Sequence, residues 1–539
     1  MRKITSKVLI LVLSLPFVLL SSCSKGASES NYSVVKVPDN NGNTYEIFPI
    51  AFADSNKDGK GDLKGIIDKF DYIKSLNYNG IWLTPVHKSS SYHKYDVDDY
   101  KSIDSAFGTL DDYDALVKKC HDNDMKIYLD LVLNHTSTSH IWFEKCMAAH
   151  IRNQTSDQYY NYYNVKSYNG NVPSGWAKYG SYNLIYECQF YSGMPDLNLQ
   201  SVLDGGDGAL ARDLKDIFTF WLKTHNIDGF RLDAVTSYFS GDPDKNLQFL
   251  TWLNTNVKRI KPSAYVVGEA SWGSNGENNR YLTSGIESCF NFEDSQGGGF
   301  IANCVNLQDA TMVPYTINKN ISGLPENGIA APFLNNHDLG RVTGYVAGRG
   351  NSGNVKFANG VMSILNGMTF SYYGDEIGMA LKADLGGTTT KVKDEDKRQP
   401  ILWGDNYTCK PVSGSTTATD SEKYPFGSVS DQDKDESSIL NYVRKANKIR
   451  NSFLPIARGT VKTIYTDDYE EMCAISKTYN KEVVGIVINA SKTKTKKYNF
   501  TDTDFSSIAA TLTTTGYIEQ PDKNIKEITV PPQGIAIIK

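Results

Sequence analysis

The chain has 539 residues, of which 40% are hydrophobic and 22% are charged, and its formal net charge at neutral pH is −5. The length exceeds that of one ordinary domain, and the composition is typical of a globular enzyme. Because the charge balance gives no basic footprint for phosphates, nucleic acid is excluded as an expected partner.

The first 23 residues have the pattern of a bacterial signal peptide. Three basic residues precede an apolar stretch over residues 8–20, which is too short to cross a bilayer comfortably. The sequence Leu-Ser-Ser-Cys at 20–23 resembles a lipobox, so Cys23 is predicted to become the lipid-modified first residue of the mature protein. The alternative is an ordinary secretion signal with a coincidental cysteine.

Residues 24–40 follow the predicted signal and begin with a Ser- and Gly-rich stretch, which predicts a flexible tether. A lipid-modified cysteine would make the membrane a partner of the protein. We therefore expect the protein to be lipid-anchored to a membrane on the extracellular face of the bacterial cell envelope.

A short acidic loop follows the first predicted strand. Oxygen-bearing residues occupy alternate positions in it, with Gly59 at the sixth place, as in the first half of an EF-hand. A complete EF-hand would have Glu at the twelfth place, where this chain has Gly65. The pattern predicts a structural Ca²⁺ site, with a solvated acidic turn as the alternative. The predicted metal residues are Asp54, Asn56, Asp58, Lys60 and Asp62.

Eight short apolar runs alternate with amphipathic stretches along most of the chain. This alternation favours parallel strands joined by helices, and eight such units predict an α/β fold, the (β/α)₈ or TIM barrel, over residues 41–133 and 201–454. The predicted strands are 44–49, 80–84, 126–131, 229–232, 264–267, 288–292, 331–334 and 368–372. The predicted helices, which have apolar residues spaced by three and four, include 63–76, 109–123, 209–224 and 246–260.

Two regions do not follow the barrel pattern. Residues 134–200 are too long for a plain loop and are rich in Tyr, Asn, Ser and Gly, so they are predicted to form a subdomain inserted after strand 3. Residues 455–539 are rich in Thr, Val and Ile with period-two alternation, which predicts a C-terminal all-β sandwich domain.

Three acidic residues stand just after predicted barrel strands: Asp233, Glu269 and Asp338. Because the carboxyl ends of barrel strands meet at one face, we expect these side chains to converge. Two carboxylates flanking one bond are the apparatus of glycoside hydrolysis. Arg231 lies two residues before Asp233 on the same strand, so it points to the same face and can pair with that carboxylate. Helix caps and buried salt bridges are the structural alternatives.

These segments resemble glycoside hydrolase family 13, the α-amylase family, over nearly the whole mature chain. The resemblance also includes GIWLTP at 80–85, DLVLNH at 130–135, MPDLN at 194–198 and the segment 367–373. It implies that Asp233 is the nucleophile, Glu269 the general acid/base and Asp338 the transition-state stabiliser. The most similar members are lipid-anchored bacterial amylases and neopullulanase-like enzymes.

The same resemblance implies a set of substrate-binding residues. An aromatic ring at position 95 would stack beneath the sugar, and two histidines after strand ends would bind sugar hydroxyls. Lys94 stands where the family usually has Gly. For Arg398 the alternative is a structural ion pair with Asp375 or Glu376. The implied substrate-binding residues are His93, Tyr95, Asp96, His135, Arg231, His337 and Arg398.

The resemblance also bears on metals. The family binds Ca²⁺ or Mg²⁺ at the acidic loop, closed by Asp62. A second family site would use Asn134 and Asp196, but Ser237 replaces the histidine that completes it, which argues against a second calcium.

We therefore expect a retaining hydrolase that cleaves α-1,4-glucosidic bonds of starch, maltodextrins and related α-glucans through a covalent glycosyl-enzyme intermediate, and that acts as a monomer. Alternatives within the family are a neopullulanase or cyclomaltodextrinase and an oligo-α-glucosidase. The alternative from another class is a non-catalytic glucan-binding surface protein, although such a protein would be expected to lack part of the acidic triad.

Overall fold

The computed structural model describes residues 32–205, 207–270, 273–346, 350–381, 392–416, 420–500, 505–519 and 526–539. The predicted signal peptide, the predicted lipidation site Cys23 and the first part of the predicted tether lie outside these ranges. Within them, no helix combines the length and the apolar character that crossing a membrane requires.

The strands are β1 (Asn43–Ile47), β2 (Gly80–Leu83), β3 (His87–Lys88), β4 (Asp99–Ile103), β5 (Lys126–Leu131), β6 (Val165–Ser167), β7 (Trp176–Lys178), β8 (Leu184–Glu187), β9 (Gly229–Leu232), β10 (Tyr265–Gly268), β11 (Ser288–Asn291), β12 (Ala331–Pro332), β13 (Thr369–Tyr372), β14 (Thr460–Thr466), β15 (Met472–Tyr479), β16 (Glu482–Asn489), β17 (Lys496–Asn499), β18 (Ile508–Leu512), β19 (Glu527–Val530) and β20 (Gly534–Ile538).

The α-helices are α1 (Leu63–Asp68), α2 (Phe70–Ser75), α3 (Leu110–His121), α4 (Ile141–Ile151), α5 (Gln200–Gly205), α6 (Ala209–Thr219), α7 (Pro243–Ile260), α8 (Asn275–Asn278), α9 (Phe300–Asn306), α10 (Met312–Ile321), α11 (Val342–Tyr345), α12 (Ser352–Ser363), α13 (Asp394–Lys397), α14 (Asp420–Lys423), α15 (Val429–Asp433), α16 (Ile439–Ser452) and α17 (Pro455–Arg458).

Eight parallel strands form a nearly closed barrel, in the order β12-β11-β10-β9-β5-β2-β1-β13. A parallel bridge between Phe333 and Phe370 connects the two outer strands of this order. The strands are buried on both faces, which explains their continuous apolar sequences. The (β/α)₈ barrel predicted from the sequence is therefore confirmed.

Alternation along each strand separates two cores. Inward-facing residues such as Trp82, Tyr128, Tyr265 and Phe290 form one cluster, which fills the barrel. The outward-facing residues of the same strands pack against the surrounding helices in a larger cluster. Because side chains alternate, the strand positions between outward-facing apolar residues must point into the barrel.

Two of the predicted helices contain a local irregularity. The predicted helix 63–76 is divided into α1 and α2 at Lys69, whose backbone leaves the helical region (φ −93°, ψ 11°). The predicted helix 209–224 continues from α6 into one π-helical turn, Phe220–Thr224. Such turns are rare and add one residue per hydrogen-bonded ring.

Two β-rich units adjoin the barrel. In the 134–200 region, β6, β8 and β7 form a small antiparallel sheet beside α4. At the C-terminal end of the chain, β14, β15, β16, β20 and β18 form a five-stranded sheet, and β17 pairs with β19. After the short helix α17, the described residues of this region contain strands and no helix, so the predicted all-β C-terminal domain is confirmed from β14 onward.

Residues 32–40 run along the barrel end where the strands begin. The amide of Val35 donates to the carbonyl of Asn451 in α16 (3.1 Å). The carboxylate of Asp39 accepts two hydrogen bonds from Arg458 (2.6 and 2.9 Å). A cavity of about 330 Å³ lies between this segment and the first residues of β1 and β5.

Candidate active site

The three predicted carboxylates follow barrel strands at one end of the barrel. Asp233 follows β9, Glu269 follows β10, and Asp338 lies six residues beyond β12. The side chains of Asp233 and Glu269 are each 12% exposed, whereas that of Asp338 is 42% exposed and borders solvent. Asp233 and Glu269 therefore lie in the floor of the site, and Asp338 lies at its opening.

Arg231 is the centre of the site. It is 1% exposed, and its Nη1 atom donates to Asp233 Oδ1 (2.7 Å) and to both carboxylate oxygens of Asp130 (2.9 and 3.0 Å). Its Nη2 atom donates to Glu269 Oε2 (2.6 Å). Because both nitrogens belong to one planar guanidinium group, Asp233 and Glu269 are held close together. The Trp82 ring lies 5.2 Å from the guanidinium carbon and excludes water from one side.

Glu269 and Asp338 have opposite electrostatic surroundings. Burial raises the pKa of Glu269 to about 8, and the charges of Asp233 and Asp338 act in the same direction, against the effect of Arg231. At neutral pH Glu269 therefore carries a proton. Burial also opposes ionisation of Asp338, but His337 and the guanidinium groups of Arg398 and Arg231 hold the pKa of Asp338 well below its ordinary value.

Tyr95 and His337 lie together beside Arg231. Their rings are stacked, with centroids 5.5 Å apart and planes 14° apart. The hydroxyl of Tyr95 is 2.6 Å from His337 Nε2 and donates to Asp130 Oδ2 (3.1 Å). The resemblance predicts both residues at the sugar site, and the structure brings both to the triad.

Arg398 binds at the open side of the triad. Its Nη2 donates to Asp338 Oδ1 (2.7 Å), and its Nε donates to the carbonyl of His337 (3.1 Å). Its Nη1 donates to the hydroxyl of Tyr92 (2.8 Å). The ion pair of Asp375 is with Arg341 (3.4 Å), so Arg398 faces the site instead of that carboxylate.

The remaining predicted binding residues line the rim. The amide of Tyr95 donates to His93 Nδ1 (3.1 Å). The carboxylate of Asp96 accepts from Ser89 Oγ (2.6 Å), so it stabilises the turn that carries these rings. His135 is buried against the exposed ring of Phe190 (5.4 Å), and its Nε2 has no hydrogen-bond partner in the part of the chain that the structure describes.

Lys94 adopts the left-handed conformation that glycine favours, with φ at 64°. Its side chain is buried, and its ammonium group donates to Asp104 Oδ2 (2.8 Å) and to the carbonyl of Ser89 (2.9 Å). These contacts offset the backbone strain of a non-glycine residue at this position. They explain how a lysine can replace the usual glycine in this turn.

The acidic loop after β1 is folded around its own carboxylates. Asp54 accepts from the amides of Lys57 (2.6 Å) and Gly59 (2.7 Å), and Asp62 caps α1 by accepting from the amide of Gly65 (2.6 Å). No group of three or more His, Cys, Asp or Glu side chains placed to hold a metal occurs among the described residues. The loop does offer carboxylate, amide and backbone carbonyl oxygens, which is the donor chemistry that suits Ca²⁺.

The two residues of the family's second metal site, which the sequence argues against in this chain, lie together and are hydrogen-bonded within the protein. Asn134 donates to Asp196 Oδ1 (3.1 Å), and the amide of Gln189 donates to Asp196 Oδ2 (3.0 Å). Burial raises the pKa of Asp196 to about 7. The carboxylate is thus already bound by protein donors.

Two buried carboxyl groups belong to the site but were not predicted as site residues. Asp130 in β5 binds Arg231, and Glu46 in β1 lies 2.6 Å from His337 Nδ1. In both cases a charged residue occupies an inward-facing position between apolar neighbours. That alternation is the signal by which the sequence could have shown them.

Comparison with known proteins agrees with this geometry. The family model described as Alpha amylase, catalytic domain, matches residues 46–459. Alpha-amylase 3 of Dictyoglomus thermophilum is 33% identical over 474 residues, covering 85% of this chain and 86% of the relative. Oligo-1,6-glucosidase of Heyndrickxia coagulans is 27% identical and covers 78% and 87%. The solved structure of Eubacterium rectale Amy13B is 33% identical, with a TM-score of 0.83 and coverage of 95% and 97%.

Proposed function

Because the chain belongs to the alpha-amylase family of glycoside hydrolases, we propose that it cleaves α-1,4-glucosidic bonds of starch, maltodextrins and related α-glucans with retention of configuration. The observation that carries this proposal is the contact of one buried guanidinium group, that of Arg231, with both Asp233 and Glu269. Retaining hydrolysis requires two carboxyl groups about 5–5.5 Å apart, one ionised and one protonated.

In the proposed reaction, Asp233 attacks the anomeric carbon while Glu269 donates its proton to the leaving oxygen. The glycosyl-enzyme ester is then hydrolysed by water, which Glu269 deprotonates in its second role. The raised pKa of Glu269 suits the first step, because the proton must be present at neutral pH. Arg231 orients both groups. Because it contacts both, its positive charge also lowers the free-energy cost of moving negative charge from Asp233 to Glu269 as the ester forms.

The other residues bind the sugar. Tyr95 would stack beneath the ring that is attacked, and His135 Nε2, which lacks a protein partner among the described residues, would bind a hydroxyl. Asp338 is ionised and open to the site, so it would stabilise positive charge on the oxocarbenium-like transition state. Arg398 holds Asp338 in this position.

The proposal includes a structural Ca²⁺ at the acidic loop, bound by Asp54, Asn56, Asp58, the carbonyl of Lys60 and Asp62. When bound, the ion would stabilise the loop between β1 and α1. The proposal also includes lipid attachment at Cys23 and an extracellular location, both supported by the lipobox-like sequence, and a monomeric state.

The test uses Asp233→Asn in the full chain, with Asp228→Asn as the matched control. Asp228 stands at the other end of β9 and is buried to a similar degree. Asp233→Asn should lower kcat on amylose by roughly 10⁴-fold or more, whereas Asp228→Asn should leave kcat of the folded protein nearly unchanged. NMR of the fresh products should show the α-anomer.

Product profiles separate the alternatives. Maltooligosaccharides from amylose with inert pullulan support the amylase assignment, and panose from pullulan would favour a neopullulanase. Cleavage of isomaltose would favour an oligo-1,6-glucosidase. If the wild-type protein binds glucans without releasing sugars, or if Asp233→Asn remains active, the proposed function is wrong.

A further inference from the structure

Glu46 and His337 form a buried pair inside the barrel. Their side chains are each 1% exposed, and Glu46 Oε1 lies 2.6 Å from His337 Nδ1. The imidazole lies between the ring of Phe48, stacked at 6.2 Å, and the edge of Trp82 at 5.9 Å. The sugar-binding role expected for His337 does not account for this carboxyl group behind it.

The contacts of His337 Nε2, on the side of the ring away from Glu46, show where one proton lies. His337 Nε2 lies 2.6 Å from the hydroxyl oxygen of Tyr95 and 3.3 Å from Asp338 Oδ2. The single hydroxyl hydrogen of Tyr95 is donated to Asp130, so this oxygen can only accept from His337. The ionised carboxylate of Asp338 is also only an acceptor. His337 Nε2 must therefore carry a hydrogen.

One further proton then lies between His337 Nδ1 and Glu46 Oε1, and the pair is neutral overall. Both side chains are 1% exposed and the imidazole lies between the rings of Phe48 and Trp82, so this apolar enclosure favours two neutral groups over an ion pair. In agreement, burial raises the pKa of Glu46 well above its ordinary value and lowers the pKa of His337 to about 3, which assigns the proton to Glu46. The other titratable or charged groups that face the pair are Tyr95, Asp130, Arg231, Asp338, Tyr372, Tyr373, Lys397 and Arg398.

We propose that Glu46 is a positioning residue that donates a hydrogen bond to His337 Nδ1 and thereby fixes the imidazole with its Nε2–H directed at Asp338 and Tyr95. The hydrogen bond made by one ring nitrogen decides the state of the other. In a catalytic triad a carboxylate does this by accepting from Nδ1–H, whereas here a protonated carboxyl group donates to Nδ1 and the hydrogen of the ring is on Nε2. The inference rests on the proposed function only where turnover is measured.

Two substitutions separate the hydrogen bond from the bulk of the side chain. Glu46→Gln keeps a donor for Nδ1, whereas Glu46→Leu fills a similar volume without one. We expect kcat within about threefold of wild type for Glu46→Gln. For Glu46→Leu we expect a loss of roughly 10- to 100-fold, the range found for groups that orient metal-binding histidines.

The direct readout is ¹⁵N NMR of histidine-labelled full-length protein, with the His337 signals assigned by their loss in His337→Asn. Wild type and Glu46→Gln should show a neutral ring with hydrogen on Nε2. Glu46→Leu leaves Nδ1 without its hydrogen-bond donor, so the ring can turn away from Tyr95 and Asp338, and its signals should shift toward a mixture of tautomers or toward the imidazolium form.

Glu376→Leu is the matched control, because Glu376 is an equally buried carboxyl that binds Tyr45 and Tyr72 instead of a histidine. It should lower Tm without moving the His337 signals. The proposal is overturned if Glu46→Leu keeps wild-type turnover and tautomer, or if Glu46→Gln is as impaired as Glu46→Leu.

If Glu46→Leu does not fold, the wild-type spectrum still decides, because an Nε2 without hydrogen contradicts the assignment. Failure of the proposed function would appear instead as activity in Asp233→Asn, with the His337 signals unaffected.

Discussion

Arg231 and Arg450 are both 1% exposed, but they lie at opposite ends of the barrel in opposite surroundings. Arg231, where the strands end, contacts three carboxyl groups, and their charges hold its pKa well above the ordinary value despite burial. Arg450, where the strands begin, donates to backbone carbonyls, including those of Gly42, Ser363 and Leu365, and burial lowers its pKa to about 9.

The two arginines therefore have different roles: the surroundings of Arg231 suit a role in catalysis, and those of Arg450 suit a role in stability. A cation among carboxylates controls which of them are ionised, and the removal of one partner leaves buried charges unbalanced. A cation among carbonyls satisfies backbone acceptors that the turns leave without partners. The two barrel ends should therefore respond differently to equivalent substitutions.

The largest effect is expected at the end where the strands finish. Glu269→Gln removes the proton donor, and kcat on amylose should fall by up to about 10⁴-fold. Maltosyl fluoride needs little acid assistance, so its hydrolysis should lose much less. An equal loss on both substrates, measured by initial rates, would contradict the acid role of Glu269.

The two arginines allow a matched comparison. Arg231→Met should lower kcat by about 10³-fold, because it removes the group that orients Asp233 and Glu269. Arg450→Met should leave kcat of the folded protein within about twofold of wild type but lower the free energy of unfolding by about 3 kcal/mol, because buried carbonyls lose their donor. The measurements are initial rates and urea unfolding. A large loss of kcat in Arg450→Met would remove the distinction between the two ends.

On the alkaline side of the pH profile, kcat/KM should fall tenfold per pH unit. Glu269 must be protonated to act as the acid, and its pKa is raised to about 8. Activity is therefore present below this value and is lost as the pH rises through it. The measurement is kcat/KM from pH 5 to 10 for the wild type on amylose and for Glu269→Gln on maltosyl fluoride. Glu269→Gln should show no alkaline fall of kcat/KM. If the wild type and the variant both show it, the titrating group is not Glu269.

The smallest effect is expected at the acidic loop, which should contribute stability and no chemistry. If the proposed Ca²⁺ is bound, its removal with EDTA should lower Tm by about 5 °C and leave kcat at low temperature nearly unchanged. Asp58→Ala should abolish this shift in Tm. The control variant Asp468→Ala, which replaces an exposed carboxylate in the C-terminal domain, should retain it. A full EDTA effect in Asp58→Ala would place the metal elsewhere.

Much of this arrangement could be predicted from the sequence. All eight barrel strands lie within two residues of the predicted bounds, because continuous apolar runs of four to six residues are typical of strands buried on both faces. The positions of Asp233, Glu269 and Asp338 follow from the same pattern, since they come after those runs.

The details that could not be predicted depend on contacts between distant segments. The interruption at Lys69, the left-handed backbone of Lys94 and the contact of Arg398 with Asp338 each need a partner far along the chain or a local geometry that periodicity does not encode. Asp130 and Glu46 were not predicted as site residues. Alternation along the strand shows that such an acidic side chain points into the barrel, but it does not show which residue the side chain contacts there.

The path of residues 32–40 has a consequence for how the enzyme meets its substrate. This segment follows the end of the barrel where the strands begin, and the triad opens at the other end. If the protein is held at a surface through residues upstream of Tyr32, the cleft faces the surrounding medium. A long polymer could then enter it without being threaded past the support.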